Sequence, residues 1–305
     1  MTYGDTRVWF ITGSSSGLGK CFVEAVLAGG ERVVATLRKP EALAYLKNKY
    51  TPEQLLIQKL DVVDDEQIEA AFAATKEHFG RLDVVVNNAG YGLFGEAEGV
   101  PLDEARVQVE VLFWGPVKIS LKALKFFREN GPQGQNKYIF NISSAGGYNG
   151  TPCLAFYSAG KFALEGFTEA LNKELHPSWN TKAMIIEPGG FETRWAADLH
   201  HHPPPSVYSA PDAPTSQWRV TRKDSEKTSS GNPEKAAAAL IKLSHVPANE
   251  LPTRIQFGTD SWAMVKAKAE ATVRDAVKWS ELSQSTNKDG VDKEAIVGFI
   301  NSIVQ

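Results

Sequence analysis

The fold of this chain is decided by the stretch Arg7-Val8-Trp9-Phe10-Ile11-Thr12-Gly13-Ser14-Ser15-Ser16-Gly17-Leu18-Gly19, in which an apolar run leads directly into a glycine-rich turn. The apolar residues from Cys21 to Leu27 then have helical spacing. A strand, a glycine turn and a helix in this order are the context of a dinucleotide motif. Glycines let the backbone approach a pyrophosphate, and the helix N-terminus offers N–H donors. A flexible loop is the alternative, but the position after an N-terminal strand favours a cofactor.

Apolar, β-branched segments alternate with helical patterns from this turn to about residue 190. The predicted strands are 8–11, 32–36, 55–59, 82–86, 137–142 and 182–186, and the predicted helices are about 17–29, 41–49, 64–79, 103–130 and 155–175. Asp64 and Gln67 predict a capping box, and Gly80 predicts the end of that helix. The alternation indicates an α/β fold with a single Rossmann-like, doubly wound parallel sheet and helices on both faces.

The composition changes beyond Arg194. Residues 200–230 are rich in histidine, proline, serine and charged residues, which favours an irregular segment. We predict a helix at 233–244, a strand at 254–257 and helices at about 260–280 and 291–303. We therefore expect one dinucleotide-binding and catalytic domain over 1–305, with C-terminal helices and an irregular substrate-side segment at about 194–231.

Tyr157 and Lys161 lie four residues apart in a predicted helix, so they share one face. A phenol titrates near ~10, and a neighbouring cation favours the phenolate. We therefore expect Lys161 to lower the pKa of Tyr157 toward the range in which proton transfer works. Ser144, thirteen residues upstream, adds a hydroxyl that can hold a reacting oxygen. The alternative is an ordinary helix surface with an extended lysine.

Composition limits the class of protein. The net charge of −3 gives no basic surface for nucleic acid, and no apolar stretch approaches the ~20 residues that span a membrane. The N-terminus lacks the features of a signal peptide. Cys21 and Cys153 are too few for a disulfide framework, so we expect reduced thiols and a cytoplasmic protein. His200-His201-His202 has no carboxylate or cysteine at ligand spacing, so no metal site is predicted.

The region after the second predicted strand bears on the choice of cofactor. Sites that prefer NAD carry an acid about 20 residues past the glycine motif, but Thr36-Leu37-Arg38-Lys39-Pro40 contains none. Arg38 can bind a 2′-phosphate with its planar donors, and Lys39 could add charge. A solvated basic loop explains the charge but not the missing acid. The sequence therefore favours NADP(H).

These motifs occur in an order that resembles the short-chain dehydrogenase/reductase family of the classical type. The resemblance spans about residues 5–195 and rests on T-G-x-x-x-G-x-G, Asn87-Asn88-Ala89-Gly90, Ser144, Tyr157, Lys161 and Pro188-Gly189. Further on, Gly231-Asn232-Pro233-Glu234 and Phe257-Gly258-Thr259-Asp260 resemble the subgroup similar to 17β-hydroxysteroid dehydrogenases. The resemblance implies a homodimer or homotetramer.

The resemblance also implies most of the cofactor site. The positions that match are Gly13, Ser15, Ser16, Gly17, Leu18, Asp61, Val62, Asn88, Ala89, Gly90, Tyr157, Lys161, Pro188, Gly189, Phe191 and Thr193. Asp61 would accept from the adenine amino group, Lys161 would bind the nicotinamide ribose, and Thr193 would bind the carboxamide. In the implied reaction, hydride passes from NADPH to a carbonyl carbon, Tyr157 protonates the oxygen and Ser144 holds it.

Aromatic side chains flank the motif positions and would lie near the nicotinamide. The aromatic residues are Tyr91, Phe94, Tyr148, Phe156, Phe191 and Trp195, and Ser144 is a further candidate substrate residue. Pockets are usually apolar with a few polar groups, so this lining suggests a bulky, hydrophobic carbonyl or alcohol. Plain core packing would account for about half of them. Residues 200–214 could form a lid.

One position departs from the family pattern. Members usually carry an asparagine where this chain has Leu112, within Val111-Leu112-Phe113-Trp114-Gly115. A leucine side chain cannot hydrogen-bond, so the proton relay beyond Lys161 is in question. The first hypothesis is an NADPH-dependent carbonyl reductase or alcohol dehydrogenase. The alternatives are a specialised biosynthetic reductase with an altered relay and a catalytically silent NADP(H)-binding redox sensor, which is ranked last because Tyr157 and Lys161 are both present.

Overall fold

Seven parallel strands form the central sheet. The computed structural model describes residues 6–226 and 231–303. Its strands are β1 (Val8–Thr12), β2 (Arg32–Leu37), β3 (Leu55–Lys59), β4 (Val84–Asn87), β5 (Leu93–Phe94), β6 (Lys137–Ile142), β7 (Thr181–Pro188), β8 (His200–His201) and β9 (Arg254–Phe257). The main sheet has the order β3-β2-β1-β4-β6-β7-β9, and β5 pairs with β8 in a separate two-stranded sheet. The predicted doubly wound α/β fold is confirmed.

Helices cover both faces of this sheet. The helices of the described residues are α1 (Gly17–Ala28), α2 (Asp65–Phe79), α3 (Leu102–Val109), α4 (Gly115–Asn130), α5 (Ala155–Glu174), α6 (Pro214–Glu226), α7 (Pro233–Leu243), α8 (Thr259–Lys278), α9 (Ser280–Gln284) and α10 (Lys293–Ile303). In β1, Trp9 and Ile11 join one core cluster while Val8 and Phe10 join the other. Successive side chains point to opposite faces of a strand, so burial on both faces explains why β1 is continuously apolar.

The predicted ends of α2 are confirmed. The Asp64 side chain accepts from the Gln67 backbone N–H at 3.0 Å, and Gly80 ends the helix in the left-handed conformation with φ of 67°. The carboxylate satisfies an N–H that has no partner within the helix. Glycine adopts a positive φ without the cost that a Cβ would impose.

Two helical predictions were wrong in detail. The segment predicted as one helix over 103–130 contains a π-helical turn, Glu110–Trp114, between α3 and α4. Pro116 has no N–H to donate to the carbonyl of Leu112, and the Gly115 N–H bonds instead to the Glu110 carbonyl five residues back. The segment predicted as a helix over 41–49 is a 3-10 helix, Pro40–Asn48.

The segment predicted to be irregular at about 194–231 contains regular structure. His200 and His201 form β8 and pair in parallel with Leu93 and Phe94. Pro214–Glu226 forms α6, and residues 227–230 lie outside the described part of the chain. The polar composition hid these elements, because they are held by contacts with residues a hundred positions earlier rather than by local apolar periodicity.

Contacts divide the chain into two compact units, Met1–Val265 and Lys266–Gln305. The first unit contains both sheets, and the second contains the end of α8 together with α9 and α10. The single domain over 1–305 stays a prediction. Within 6–226 and 231–303, no helix combines the length and the apolar character needed to cross a membrane.

The glycine turn after β1 packs against the turn after β4. The Thr12 hydroxyl oxygen accepts from the backbone N–H groups of Asn88 and Ala89 at 2.9 and 3.0 Å. The Asn88 amide donates to the carbonyl oxygens of Thr12 and Gly13 at 3.0 and 3.2 Å. A Cβ on Gly19 would lie 2.3 Å from the Gly13 oxygen and 2.4 Å from the Asn88 amide nitrogen, so only glycine fits there.

We expect Gly19→Ala to destabilise the protein by about 1–3 kcal/mol, because the new methyl group overpacks backbone that cannot move freely. Urea unfolding followed by circular dichroism measures the change. Gly166→Ala is the matched control, since a Cβ there meets nothing within 4 Å. It lies inside α5 and is expected to be neutral or to stabilise by up to about 1 kcal/mol. Equal stability of the two variants would contradict the close-packing argument.

Candidate active site

The ends of several strands meet at one edge of the sheet and form the candidate site. Because all seven strands are parallel, the turns after β1, β4, β6 and β7 lie at the same carboxyl edge. Strand order reverses between β1 and β4, since β1 pairs with β2 on one side and β4 on the other. In open α/β sheets, ligands bind outside the carboxyl ends of the strands at such a switch point.

The structure brings Ser144, Tyr157 and Lys161 together at this edge. Tyr157 and Lys161 are both buried on α5, and Ser144 follows β6. The Ser144 hydroxyl forms a hydrogen bond with the Tyr157 phenol. The Lys161 Nζ lies 5.8 Å from the centre of the Tyr157 ring and donates to the Ile142 carbonyl at 2.7 Å. The predicted grouping is therefore present.

Burial shifts the pKa values of Tyr157 and Lys161 in opposite directions. Loss of water raises the pKa of Tyr157 to about 12, although the Ser144 hydrogen bond lowers it somewhat. Loss of water also lowers the pKa of Lys161 to about 8, against an opposing effect of Glu165. In both cases burial penalises the charged form. At neutral pH the phenol therefore retains its proton and the amine is largely charged.

The raised pKa of Tyr157 is the opposite of what the sequence predicted. We expected the Lys161 ammonium to lower the pKa of the phenol, but in this structure the pKa is raised. The spacing on the helix was right, but desolvation on full burial raises the pKa of the phenol and the Ser144 hydrogen bond is the opposing effect. A protonated phenol is the form that can act as a general acid.

Leu112 occupies the space beside Lys161. Its side chain is fully buried, in one apolar cluster with Tyr157. A Cβ on Gly90 would lie 2.9 Å from a Leu112 methyl, and one on Gly160 would lie 3.1 Å from the Leu112 Cβ. The leucine therefore fills the gap between the turn after β4 and α5 with hydrocarbon.

The start of α1 fits the pyrophosphate of a dinucleotide. Ser15 and Ser16 are exposed, and Ser16 precedes the helix without capping it through its side chain. The first turn of α1 contains no acidic residue, so its N–H groups and helix dipole are available to an anion. Thr193 lies over Gly17, since a Cβ on that glycine would be 3.6 Å from the threonine side chain. The residues present thus fit the group that the sequence predicts.

Other predicted cofactor residues lie along the same edge. Arg38 and Lys39 are exposed immediately after β2, and Asp61 follows β3. The backbone N–H of Asp61 donates to the Gln67 side chain at 2.9 Å, which fixes the turn. Val62 is buried in the core against Gly115 rather than open at the edge.

The turn after β7 is also held firmly. The Gly189 N–H donates to Phe257 at 2.9 Å, and the Gly190 N–H donates to the Asp260 carboxylate at 2.7 Å. A Cβ on Gly189 would lie 2.1 Å from that carboxylate. Phe191 packs against the main core, so it does not join the aromatic residues around Tyr157. Pro188 is the last residue of β7.

The candidate substrate residues separate into groups. Trp195 packs edge-on against Tyr157 with ring centres 5.5 Å apart, and Phe94 belongs to the Tyr157 cluster. Tyr91 and Phe156 each pack against a neighbouring cluster formed by Leu93, Val100 and Ala105. The Tyr148 ring lies under the Arg254 guanidinium, 4.9 Å away, and is not part of either cluster. Their role in binding substrate stays a prediction.

Helix α6 is held over this apolar cluster by an ion pair that the sequence analysis missed. Arg219 Nε and Nη2 donate to the two oxygens of Glu96 at 3.1 and 2.6 Å. The hydrogen bonds from Arg219 lower the pKa of the buried Glu96 to about 2. The guanidinium groups of Arg219 and Arg222 lie 4.8 and 4.3 Å from the Phe94 ring. No sequence signal links residues 123 positions apart, so only the fold could identify this pair.

The histidines in and directly after β8 take part in packing. The His200 ring lies 5.2 Å from Tyr91, and His202 Nε2 is 3.4 Å from a Glu104 oxygen. Among the residues that the structure describes, no group of three or more His, Cys, Asp or Glu side chains is arranged to hold a metal ion.

Comparisons with known proteins bear on this site. The family model described as short chain dehydrogenase matches residues 7–204. An uncharacterized oxidoreductase of Schizosaccharomyces pombe is 36% identical over 286 residues, covering 94% of each chain. An NADPH-dependent 3-dehydrocapnine reductase of Ornithobacterium rhinotracheale is 33% identical over 189 residues, covering 61% of this chain and 66% of its own. The crystal structure of a short-chain dehydrogenase from Streptomyces avermitilis is 30% identical with a TM-score of 0.80, covering 93% of this chain and 99% of that chain.

We expect Arg219→Ala to release α6 from the apolar cluster, because it leaves the Glu96 carboxylate buried without its main partner. Breaking a buried ion pair costs about 3–5 kcal/mol. Hydrogen exchange of the amides in 214–222 should accelerate accordingly.

The control is Arg194→Ala, because Arg194 forms a solvent-exposed ion pair with Asp198. Exposed pairs contribute about 0–1 kcal/mol, so exchange in α6 should stay close to wild type. Unchanged exchange in Arg219→Ala would contradict the role of this pair in holding α6.

Proposed function

The chain belongs to the short-chain dehydrogenase family, and we propose that it uses NADPH to reduce the carbonyl group of a bulky hydrophobic small molecule. The coarser activity, an oxidoreductase of this family, follows from membership. The single observation that carries the finer proposal is the buried, protonated Tyr157 hydrogen-bonded to Ser144, with Lys161 beside it.

The proposed reaction assigns one task to each of these residues. Bound NADPH supplies the hydride that adds to the carbonyl carbon. Tyr157 transfers its phenolic proton to the carbonyl oxygen, so the products are an alcohol, a phenolate and oxidised cofactor. Ser144 holds the same oxygen through its hydroxyl. Lys161 stabilises the phenolate by its charge, and solvent then returns a proton to Tyr157.

The preference for NADP(H) over NAD(H) rests on Arg38. This side chain is exposed directly after β2, where an acid would favour NAD by binding the ribose hydroxyls. A guanidinium offers a fork of donors to a 2′-phosphate. The name of the NADPH-dependent relative from Ornithobacterium rhinotracheale is consistent with this choice.

The substrate class rests on the surroundings of Tyr157. Phe94, Leu154, Leu199 and the edge-on Trp195 make this side of the site apolar. An apolar surface with few polar groups suits a bulky, hydrophobic substrate. The same relative is named as a 3-dehydrocapnine reductase.

A specialised biosynthetic reductase with an altered proton relay is the second candidate. The observation that favours it is Leu112, whose hydrocarbon side chain is buried between Gly90 and Gly160. Such an enzyme would reduce one substrate efficiently and a general panel of carbonyls poorly.

A homodimer or homotetramer and a cytoplasmic location complete the proposal.

We expect Tyr157→Phe to lower turnover by about 10²–10⁴-fold, because it removes the proton donor and leaves the ring in place. NADPH oxidation with a panel of ketones and aldehydes measures turnover, and calorimetry should give nearly unchanged NADPH affinity. The control is Tyr138→Phe, which loses a hydroxyl bonded to the Val246 carbonyl at 2.6 Å far from this edge. It should retain turnover, and retained turnover in Tyr157→Phe would refute the assignment.

Arg38→Glu should raise the KM for NADPH by more than about tenfold and change the KM for NADH little, because the carboxylate repels only the cofactor with the 2′-phosphate. Lys47→Glu makes the same change of charge on an exposed residue of the 3-10 helix and serves as the control. Steady-state kinetics with NADPH and with NADH measure these KM values in the wild type and in both variants. A wild-type preference for NADH would defeat this part of the proposal.

A further inference from the structure

One face of α5 presents three buried side chains to the end of β6. Tyr157, Lys161 and Glu165 follow one another at intervals of four residues, and each bonds a different residue of the same short segment. Tyr157 bonds the Ser144 hydroxyl, and Lys161 donates to the Ile142 carbonyl at 2.7 Å. Glu165 accepts from the hydroxyl of the intervening residue, Ser143, at 2.5 Å.

The Glu165 carboxylate is fixed from two sides. One oxygen accepts from Ser143, and the other accepts from Arg254 Nη1 at 2.8 Å. The residue is 4% exposed. A Cβ on Gly147 would lie 2.4 Å from the oxygen that accepts from Ser143, so the backbone after Ser144 packs directly against the carboxylate. Glu165 therefore bonds one end of the turn that carries Ser144 and packs against the other end.

Four charged groups surround this carboxylate. Arg254 from β9 bonds Glu165, the fully buried Glu187 of β7 at 2.6 Å, and Glu169 one turn further along α5. Lys161 lies one turn before Glu165 on the same helix. Three carboxylates share one guanidinium, and Glu165 is the one whose charge acts on Lys161.

The ionisation of Glu165 and Lys161 is linked. Burial raises the pKa of Glu165 to about 7, and the charge of Glu165 favours the protonated form of Lys161, whose pKa burial lowers to about 8. As pH rises above about 7, the carboxylate becomes charged and opposes loss of the lysine proton. Removing this charge should let Lys161 lose its proton at lower pH.

We propose that Glu165 is a positioning residue for the reduction: held by Arg254, it fixes the turn that carries Ser144 and keeps a negative charge beside the Lys161 ammonium. This inference rests on the proposed function. The alternative is a buried ion pair that serves stability alone. The two differ in what they expect for the pH dependence of the reaction and for the ionisation of Lys161.

The first test compares Glu165→Gln with Glu169→Gln. Glutamine keeps the size of the side chain and an acceptor for Ser143 but removes the charge. The alkaline limb is the fall of kcat/KM at high pH. In Glu165→Gln we expect the midpoint of this fall to lie about one pH unit lower than in the wild type. The substrate is whichever of benzaldehyde, acetophenone and 2-decanone the wild type reduces fastest with NADPH. Glu169→Gln removes a half-exposed partner of the same Arg254 and should keep the wild-type limb. Equal limbs in Glu165→Gln and wild type would overturn the inference.

Ser143→Ala provides a second variant if Glu165→Gln does not fold. It breaks the link between the carboxylate and the strand end and leaves all charges in place. We expect kcat to fall about tenfold, with unchanged NADPH affinity and an unchanged alkaline limb. An unchanged kcat would overturn the positioning role.

Lysine labelled with ¹³C at Cε separates failure of this inference from failure of the proposed function. Its NMR titration in the protein without cofactor or substrate reports the ionisation of Lys161, assigned by its loss in Lys161→Arg. A lower titration midpoint in Glu165→Gln supports the inference even if the wild type reduces none of the three carbonyls, which would defeat the proposed function. An unchanged midpoint overturns the inference even if turnover is normal.

Discussion

The candidate site depends on the alignment of α5 with the carboxyl end of β6. A helix repeats a face every four residues, and here that face meets three consecutive residues of an extended segment, Ile142 to Ser144. A hydroxyl, a backbone carbonyl and a second hydroxyl thereby set the rotation and the height of the helix. The alignment is over-determined, because each contact alone would permit some rotation while the three together permit little. Reacting groups held in this way need little reorganisation, which is the condition for efficient acid catalysis.

Burial, rather than the neighbouring lysine, dominates the electrostatics of Tyr157. Desolvation raises the pKa of the phenol and lowers that of Lys161, so both groups move toward their neutral forms. This environment keeps the proton on the group that is proposed to deliver it. It also makes the charge of Lys161 sensitive to its surroundings. The polar residues behind Lys161, above all the paired Glu165 and Arg254, are for this reason proposed to support the chemistry as well as the packing.

The structural features that were predicted correctly belong to local patterns. The glycine turn, the helix caps of α2, and the four-residue spacing of Tyr157 and Lys161 follow from conformational preferences of neighbouring residues. The errors have a different origin. The polar composition of 200–230 concealed β8 and α6, because their partners are Leu93, Phe94 and Glu96. The helix over 103–130 widens at a π turn where a proline removes one hydrogen bond, and periodicity alone does not report this change.

The sequence by itself determined the alternation of the main strands with their helices, the glycine turn after β1, and the shared helix face of Tyr157 and Lys161, since each depends on groups within a few positions of one another. Only the tertiary structure decided how those residues ionise and what supports them. The direction of the Tyr157 pKa depends on how much water the whole fold removes, and the links from Glu165 to Ser143 and Arg254 join residues 22 and 89 positions apart. Desolvation and long-range pairing are properties of the packed chain, and for that reason no local pattern contains them.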